Sequence, residues 1–198
     1  MGLSRTSIED RYAGHMDADA RRLEAERRGK EIEEVFCEFL MLAAGDIISS
    51  VRHATQTEDH EKIDFVATFK NGDRIALQLT CANSTDIRMG KIKEMVYQPT
   101  VGRLYDEQGI PERLEKPIPR LVIYGGKMQE WEGALDGFKK HKDPKTYFTE
   151  EEIQRKRSDI FEQLCNTLRY LRDLKPDMRS VFDPYLSYLE SAPARQTA

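Results

Sequence analysis

The sequence predicts one mixed α/β domain with a helical extension at its C-terminal end. Two patterns predict it: four short segments rich in β-branched residues lie between residues 46 and 126, and helical periodicity flanks them on both sides. A length of 198 residues favours a single domain. We therefore divide the chain into a flexible N-terminus (1–16), an α/β core (17–128), a helical extension packed on the core (129–190) and a flexible tail (191–198).

The first predicted helix runs from Asp17 to Ala44. Its apolar residues recur at intervals of three and four, and Gly45 then ends it. Three strands follow, in DIISSVRHAT, KIDFVATF and RIALQLTCA, and the polar segment QTEDH predicts a loop between the first two. DIRMGKIKEMVY predicts a helix, and a second short helix is expected after Pro99, up to about Glu107. The proline-rich GIPERLEKPIP predicts a connection, and RLVIYGG predicts the fourth strand.

The last third of the chain predicts helices. QEWEGALDGFKKH predicts a short one, and VFDPYLSYLE predicts another near the C-terminal end. The clearest pattern lies between residues 149 and 174, where Thr149 and Glu152 form a capping box before an apolar face of helical period. This long helix is expected to bury its apolar face in the protein's own core.

The turn between the second and third strands decides how they pair. A two-residue turn at Asn71-Gly72 would mix polar and apolar side chains on both faces of the hairpin. A three-residue loop, Lys70-Asn71-Gly72 with Gly72 left-handed, pairs Phe69 with Asp73 and makes one face wholly apolar. The sequence therefore predicts the three-residue loop.

That register has a consequence for the polar residues of the hairpin. Ile63 would face Leu79 on the apolar face. The opposite face would gather four polar side chains, with directly opposed Cβ atoms about 5 Å apart: Lys62 opposite Thr80, and Asp64 opposite Gln78. Asp64 and Gln78 could then contact one ion or one water.

Composition limits the classes of function. The net charge is −4, so any nucleic-acid footprint must be local. The three cysteines are far apart and form no zinc pattern, which predicts reduced thiols in the cytoplasm. No apolar run approaches the length of a membrane span, and the N-terminal segment lacks the apolar core of a secretory signal. We expect a cytoplasmic protein that has no membrane partner.

The element order and the hairpin together resemble the PD-(D/E)xK nuclease superfamily, with its restriction-endonuclease-like fold. That family's core is a helix, three strands, a helix and a fourth strand. KIDF places Asp64 at the family's acid position, and LQLT stands at its (D/E)-x-K position with Gln78 first. RGKEIEEVFCEFL resembles the family's first helix and picks out Glu33, which lies at the edge of the apolar face. The resemblance covers residues 29 to about 125.

The resemblance implies a metal-dependent endonuclease that hydrolyses phosphodiester bonds of nucleic acid, DNA more than RNA. It implies Mg²⁺ or Mn²⁺ as the cofactor, held by Asp64, Glu33 and Gln78. The expected catalytic residues are Glu33, Asp64, Gln78 and Lys62. The expected substrate-binding residues are Arg88, Lys91, Lys93 and Thr80.

The chain departs from the family at the signature lysine, which Thr80 replaces. A hydroxyl can donate a hydrogen bond but carries no charge. We expect Lys62, opposite Thr80, to supply the missing cation, with Lys91 and Lys93 on the next helix as alternatives. A second interpretation stays open: a nuclease fold whose site has decayed and which binds nucleic acid, a protein partner or a second copy of itself. A third is an α/β domain that only happens to have this order of elements.

Overall fold

The protein was analysed as a computed structural model, which describes residues 5–81, 85–126, 129–141 and 146–192. In chain order its main helices and strands are α1 (Arg5–Ala44), β1 (Ile48–His53), α2 (Gln56–His60), β2 (Phe65–Phe69), β3 (Arg74–Thr80), α3 (Thr85–Tyr97), β4 (Thr100–Tyr105), β5 (Pro111–Tyr124), α4 (Gln129–His141), α5 (Glu150–Leu174) and α6 (Arg179–Ser191). The tail predicted to be flexible lies outside the described residues from position 193 onward.

The strands form one five-stranded sheet in the order β1-β2-β3-β5-β4. β3 and β5 are parallel, and every other neighbouring pair is antiparallel. Helices α1, α4, α5 and α6 bury one face of this sheet in the larger apolar cluster. The mixed α/β class with a helical C-terminal part is therefore confirmed.

The predicted hairpin loop between β2 and β3 is confirmed. Gly72 has a φ of 88°, and the amide of Phe69 donates to the carbonyl of Asp73 at 2.8 Å. Phe65 pairs with Leu77, as the three-residue loop requires. The sequence pattern fixed this register because a slip of one residue would invert every side chain.

The same hairpin ends earlier than predicted. The ladder begins at Phe65, so Lys62 and Ile63 do not take their expected places opposite Thr80 and Leu79. The amide of Ile63 donates instead to the carbonyl of Glu58 at 3.0 Å, which ties this segment to α2.

The change moves Ile63 to the other face of the sheet. There it joins a second buried apolar cluster with Val66 and Ala76. The expected apolar face is confirmed, because Phe65, Ile75 and Leu77 lie together in the larger cluster. The expectation that the opposite face is polar is wrong, because the hairpin formed by β4 and the first half of β5 supplies further apolar side chains to that face.

The segment 99–119 contains β4 and the first half of β5, where a short helix and a connection were predicted. β4 pairs with the first half of β5, up to Pro119, whereas β3 pairs with the second half, from Arg120 onward. Each half of β5 therefore pairs on one side only. A proline lacks an amide proton but is compatible with such a half-paired strand, which is why the prolines of this segment do not exclude it.

The free side of the second half of β5 is covered by two side chains and by the carbonyl of Pro99, which accepts from the amide of Arg120 at 2.8 Å. The amide of Val122 donates to Sδ of Met95 at 3.4 Å. Gln163 of α5 accepts from the amide of Tyr124 at 2.8 Å and donates to its carbonyl at 3.0 Å. This amide side chain thus makes the two hydrogen bonds that a neighbouring strand would make.

The segment QTEDH is the short helix α2 and not the predicted loop. Thr55 caps it, and Glu58 completes the capping box by accepting from the amide of Thr55 at 2.9 Å. Glu58 is completely buried, and its carboxylate also accepts two hydrogen bonds from Arg52 and one from the amide of Tyr105. One side chain therefore joins β1, α2 and the end of β4.

The helical predictions for the C-terminal part are confirmed, including the capping box of Thr149 and Glu152 at the start of α5. At the other end, α1 begins at Arg5, within the segment predicted to be flexible, and not at Asp17. No proline interrupts residues 5 to 44, so nothing in the backbone chemistry stops the helix from extending. None of the described helices combines the length and the apolar character needed to cross a membrane.

Candidate active site

Glu33 and Asp64 come from separate elements and meet near the start of β2. The ring of Phe36 packs on that of Phe65 with 5.7 Å between centroids, which holds α1 over this end of the strand. Glu33 lies one turn earlier on α1 and is half-buried. Burial raises the pKa of Glu33 to about 7, and repulsion from Asp64 and Asp59 adds to the rise. The predicted pair of carboxylates is therefore within electrostatic range.

Asp64 is held by the backbone of β3. Its Oδ2 accepts from the amide of Leu79 at 2.6 Å, and its own amide donates to the carbonyl of Leu77 at 2.9 Å. Burial raises the pKa of Asp64, although Lys91 and the Leu79 amide oppose the rise. Asp64 thus combines a fixed position with a carboxyl group that is costly to ionise.

Lys91 of α3 is the lysine that reaches these two carboxylates. Its Nζ donates to the carbonyl of Leu79 at 2.8 Å, and its charge lowers the pKa of both Glu33 and Asp64. Lys62 was expected in this role, but it is exposed and precedes the ladder of β2 with a left-handed φ of 63°. The structure thus favours Lys91, the alternative, over Lys62 as the lysine whose charge acts on both acids.

Gln78 and Thr80 both point to the face of β3 that α3 covers, and each is only 4% exposed. The Oε1 of Gln78 is buried and has no hydrogen-bond partner among the described residues. Such orphaned acceptors are rare in folded proteins. Thr80 lines a cavity of about 310 Å³ together with Arg88.

The oxygens at this end of β3 match the ligand chemistry of Mg²⁺ and Mn²⁺, which bind carboxylate, carbonyl and amide oxygens. They are the carboxylates of Glu33 and Asp64, the orphaned Oε1 of Gln78 and the carbonyl of Leu79. The described part of the chain contains no group of three or more His, Cys, Asp or Glu residues that could hold a metal. A metal here would thus depend on two acids and on weaker neutral oxygens.

The three cations of α3 that were predicted to bind substrate point in different directions. The guanidinium of Arg88 lies 4.6 Å from the ring centroid of Tyr124, and Lys91 faces Leu79. Lys93 is exposed and lines a hollow on another side of α3, together with Lys62. Arg88 and Lys91 therefore lie beside Thr80 and Leu79, whereas Lys93 lies beside Lys62.

A cavity of about 520 Å³ adjoins the site at the end of β5. Its wall includes Lys156, which is buried with its Nζ 4.5 Å from the ring centroid of Trp131 and 3.6 Å from the carboxylate of Glu130. Cys81 lies between the two places, because Lys91 and Lys156 both act on its charge while burial raises its pKa to about 11. No sequence signal picked out Lys156, which lies in the basic run RKR of an amphipathic helix.

Comparison of the chain with protein-family models, curated proteins and solved structures found no match. The mixed α/β fold therefore follows from the structure alone. The function has to be argued from the site itself.

Proposed function

We propose that the protein is a metal-dependent phosphodiester hydrolase that acts on nucleic acid, with a PD-(D/E)xK-like core. The observation that carries the proposal is that Asp64 and Lys91, from separate elements, both bond the backbone of Leu79, at its amide and at its carbonyl. Glu33 of α1 lies within electrostatic range of both. Two half-buried acids in one place cost free energy, because burial penalises the charge of each carboxylate. Perturbed acids of this kind cluster at functional sites.

The order of elements supports the proposal. α1, β1, β2, β3, α3 and β5 follow the order of that family's core, with α2 and β4 as additions. Asp64 precedes β2 and Gln78 lies on β3, which are the positions that the resemblance predicts for the acid and for the start of the signature.

Three residues of the chain would have separate roles in the reaction. Lys91 supplies the positive charge that the signature lysine would supply, from a helix instead of from β3. Glu33, with a pKa of about 7, can accept a proton near neutral pH. Arg88 can contact a phosphate beside the site, because its Nε has no hydrogen-bond partner within the described chain. Mg²⁺ or Mn²⁺ would polarise the phosphate and lower the pKa of a water molecule.

A binding module with a decayed site is the second candidate. The observations that favour it are the amide of Gln78 and the hydroxyl of Thr80 at the signature positions, which leave two carboxylates as the charged ligands. Such a module would bind nucleic acid or a protein partner without cleaving a bond.

A cleavage assay separates the two candidates. Purified protein is incubated with Mg²⁺ or Mn²⁺ and with single-stranded, duplex and branched DNA, and with RNA. We expect cleavage that Asp64→Asn, Glu33→Gln and Lys91→Gln each reduce by about a hundredfold or more. Glu34→Gln, an exposed neighbour on α1, is the matched control and should leave cleavage unchanged.

Two results would count against the enzyme. Cleavage that survives Asp64→Asn at the wild-type rate assigns the activity to a contaminant or to another site. Binding without cleavage under every metal condition supports the decayed module.

A further inference from the structure

Arg120 of β5 is buried and forms no ion pair with any residue that the structure describes. It is 4% exposed, and its Nε and Nη2 have no hydrogen-bond partner among the described residues. Burial lowers the pKa of Arg120, while Glu94, Asp64 and Glu61 oppose the change from a distance. An arginine stays charged in proteins, so a buried guanidinium with unused donors is normally paired.

The side chain of Arg120 lines an open hollow of about 720 Å³ between the end of α2 and the C-terminal half of α3. Three cations and two acids line this hollow, together with one histidine: Arg120, Lys62, Lys93, Glu61, Glu94 and His60. The cations exceed the carboxylates by one, in a protein whose net charge is −4. The hollow is therefore locally basic on an acidic molecule.

The backbone holds Lys62 at this hollow in a costly conformation. Its φ of 63° is left-handed, and its amide donates to the carbonyl of Asp59 at 2.9 Å. A residue with a Cβ is strained in this region, and such strain is concentrated at binding and catalytic sites. The strained backbone of Lys62 and the buried charge of Arg120 thus lie at the same hollow.

We propose that this hollow binds a phosphate group of a nucleic-acid strand, with Arg120 at its floor and Lys62 and Lys93 at its rim. The planar guanidinium offers the forked donors that match phosphate oxygens, and lysines add charge. Asp64 acts on the charge of Arg120, so this acid of the candidate active site lies within electrostatic range of the hollow's floor. The identity of the strand rests on the proposed function, whereas the phosphate site does not.

Binding is measured in EDTA, so that no metal-dependent cleavage can occur. The probes are inorganic phosphate and a short oligothymidylate, with and without a 5′ phosphate. The readout is the Nε–H resonance of Arg120 in ¹⁵N NMR spectra, together with the dissociation constant. We expect saturable shifts of that resonance with the oligonucleotide, and dissociation constants raised about threefold by Lys62→Gln or Lys93→Gln and about tenfold by Arg120→Lys.

Lys70→Gln changes an exposed lysine in the β2–β3 loop and is the matched control, which should bind like the wild type. Saturable binding that is unchanged in Lys62→Gln and Lys93→Gln overturns the proposal, and so does the absence of any saturable shift. These two variants keep the test valid if Arg120→Lys fails to fold. If the protein binds inorganic phosphate but does not bind the oligonucleotide, the ligand of the hollow is not a nucleic-acid strand.

The two proposals fail separately. Asp64→Asn should bind the oligonucleotide at least as well as the wild type, because it removes a negative charge near Arg120. If binding depends on Arg120 but no metal supports cleavage, the hydrolase fails and the phosphate site stands. Cleavage that Asp64→Asn abolishes, in a protein whose hollow binds none of the probes, leaves the hydrolase and removes the phosphate site.

Discussion

Two regions of this protein bury acidic side chains, and they treat the charge in opposite ways. At the junction of β1, α2 and β4, Glu58 is completely buried but accepts hydrogen bonds from Arg52, Thr55 and Tyr105. Burial alone would raise its pKa, but these donors outweigh burial and lower it. The carboxylate is therefore stable as an anion.

At the end of β3, the half-buried acids have fewer donors. Asp64 accepts one backbone hydrogen bond, and the pKa of Glu33 rises to about 7 because burial and neighbouring acids dominate. The difference separates an acid that holds three elements together from acids whose pKa burial raises. A satisfied carboxylate has nothing left to offer a ligand, whereas an unsatisfied one gains from any cation that arrives.

The largest effect is expected when glutamine replaces glutamate in each of the two regions. Glu58→Gln removes a charge that three groups bind, and we expect it to lower the free energy of unfolding by about 2–3 kcal/mol. Glu33→Gln removes a charge that burial penalises, so at pH 8 it should raise the free energy of unfolding by about 1 kcal/mol, after allowance for its partial exposure. Urea denaturation followed by circular dichroism measures both. An equal loss of unfolding free energy in the two variants would contradict the difference between the two regions.

Added metal tests whether the two acids at the end of β3 bind a cation. If Mn²⁺ binds the native acids, a concentration ten times the dissociation constant should stabilise the wild type by about 1.4 kcal/mol. Thermal melting with and without Mn²⁺ measures the gain, which Glu33→Gln or Asp64→Asn should abolish. Glu34→Gln should keep it. A gain that persists in Asp64→Asn would place the metal elsewhere.

The pH dependence of stability should differ in sign between the two regions. The pKa of Glu33 is raised from 4.5 to about 7, so its contribution to stability is complete below 4.5 and is lost as the pH rises through 7. The loss should be on the order of 1 kcal/mol. Glu58 has a lowered pKa, so its contribution is present above 4.5 and is lost only as the pH falls below that value.

Melting temperatures measured from about pH 3 to about pH 8 check this prediction. Glu33→Gln should flatten the decline between about pH 5 and about pH 8 and leave the acid limb unchanged. A decline that keeps its wild-type slope in Glu33→Gln would assign it to other groups.

The smallest expected effect concerns Lys91. Its charge lowers the pKa of Asp64 and of Glu33, so Lys91→Met should raise both values. ¹³C NMR of the carboxyl groups follows each titration directly. Lys62→Met is the control, because Lys62 is not among the main groups that shift the pKa of either acid. Equal shifts in the two variants would show that the lysines are not distinguished by position.

Much of the fold follows from local sequence patterns. The turn at Gly72 fixed the hairpin register, and the capping box at Thr149 fixed the start of α5, because both depend on residues close in the chain. Residues 99 to 119 escaped prediction because their prolines are acceptable only when half of β5 pairs on one side, which is a tertiary condition.

The candidate site was predictable in part. Glu33, Asp64 and Gln78 were found because they lie at set places on predicted elements. Lys62 was chosen over Lys91 because the hairpin was extrapolated past Phe65, where the bond from Ile63 to Glu58 ends the regular pairing. Arg120 could not be recognised, because an unpaired guanidinium is visible only when its surroundings are known.

Gln163 has a consequence for how the protein behaves at high concentration. A strand end with free amide and carbonyl groups invites pairing with another chain and growth into aggregates. By occupying both groups of Tyr124, a single glutamine keeps the second half of β5 from recruiting a neighbouring molecule. One uncharged side chain of a distant helix thus closes this end of the strand to a further chain.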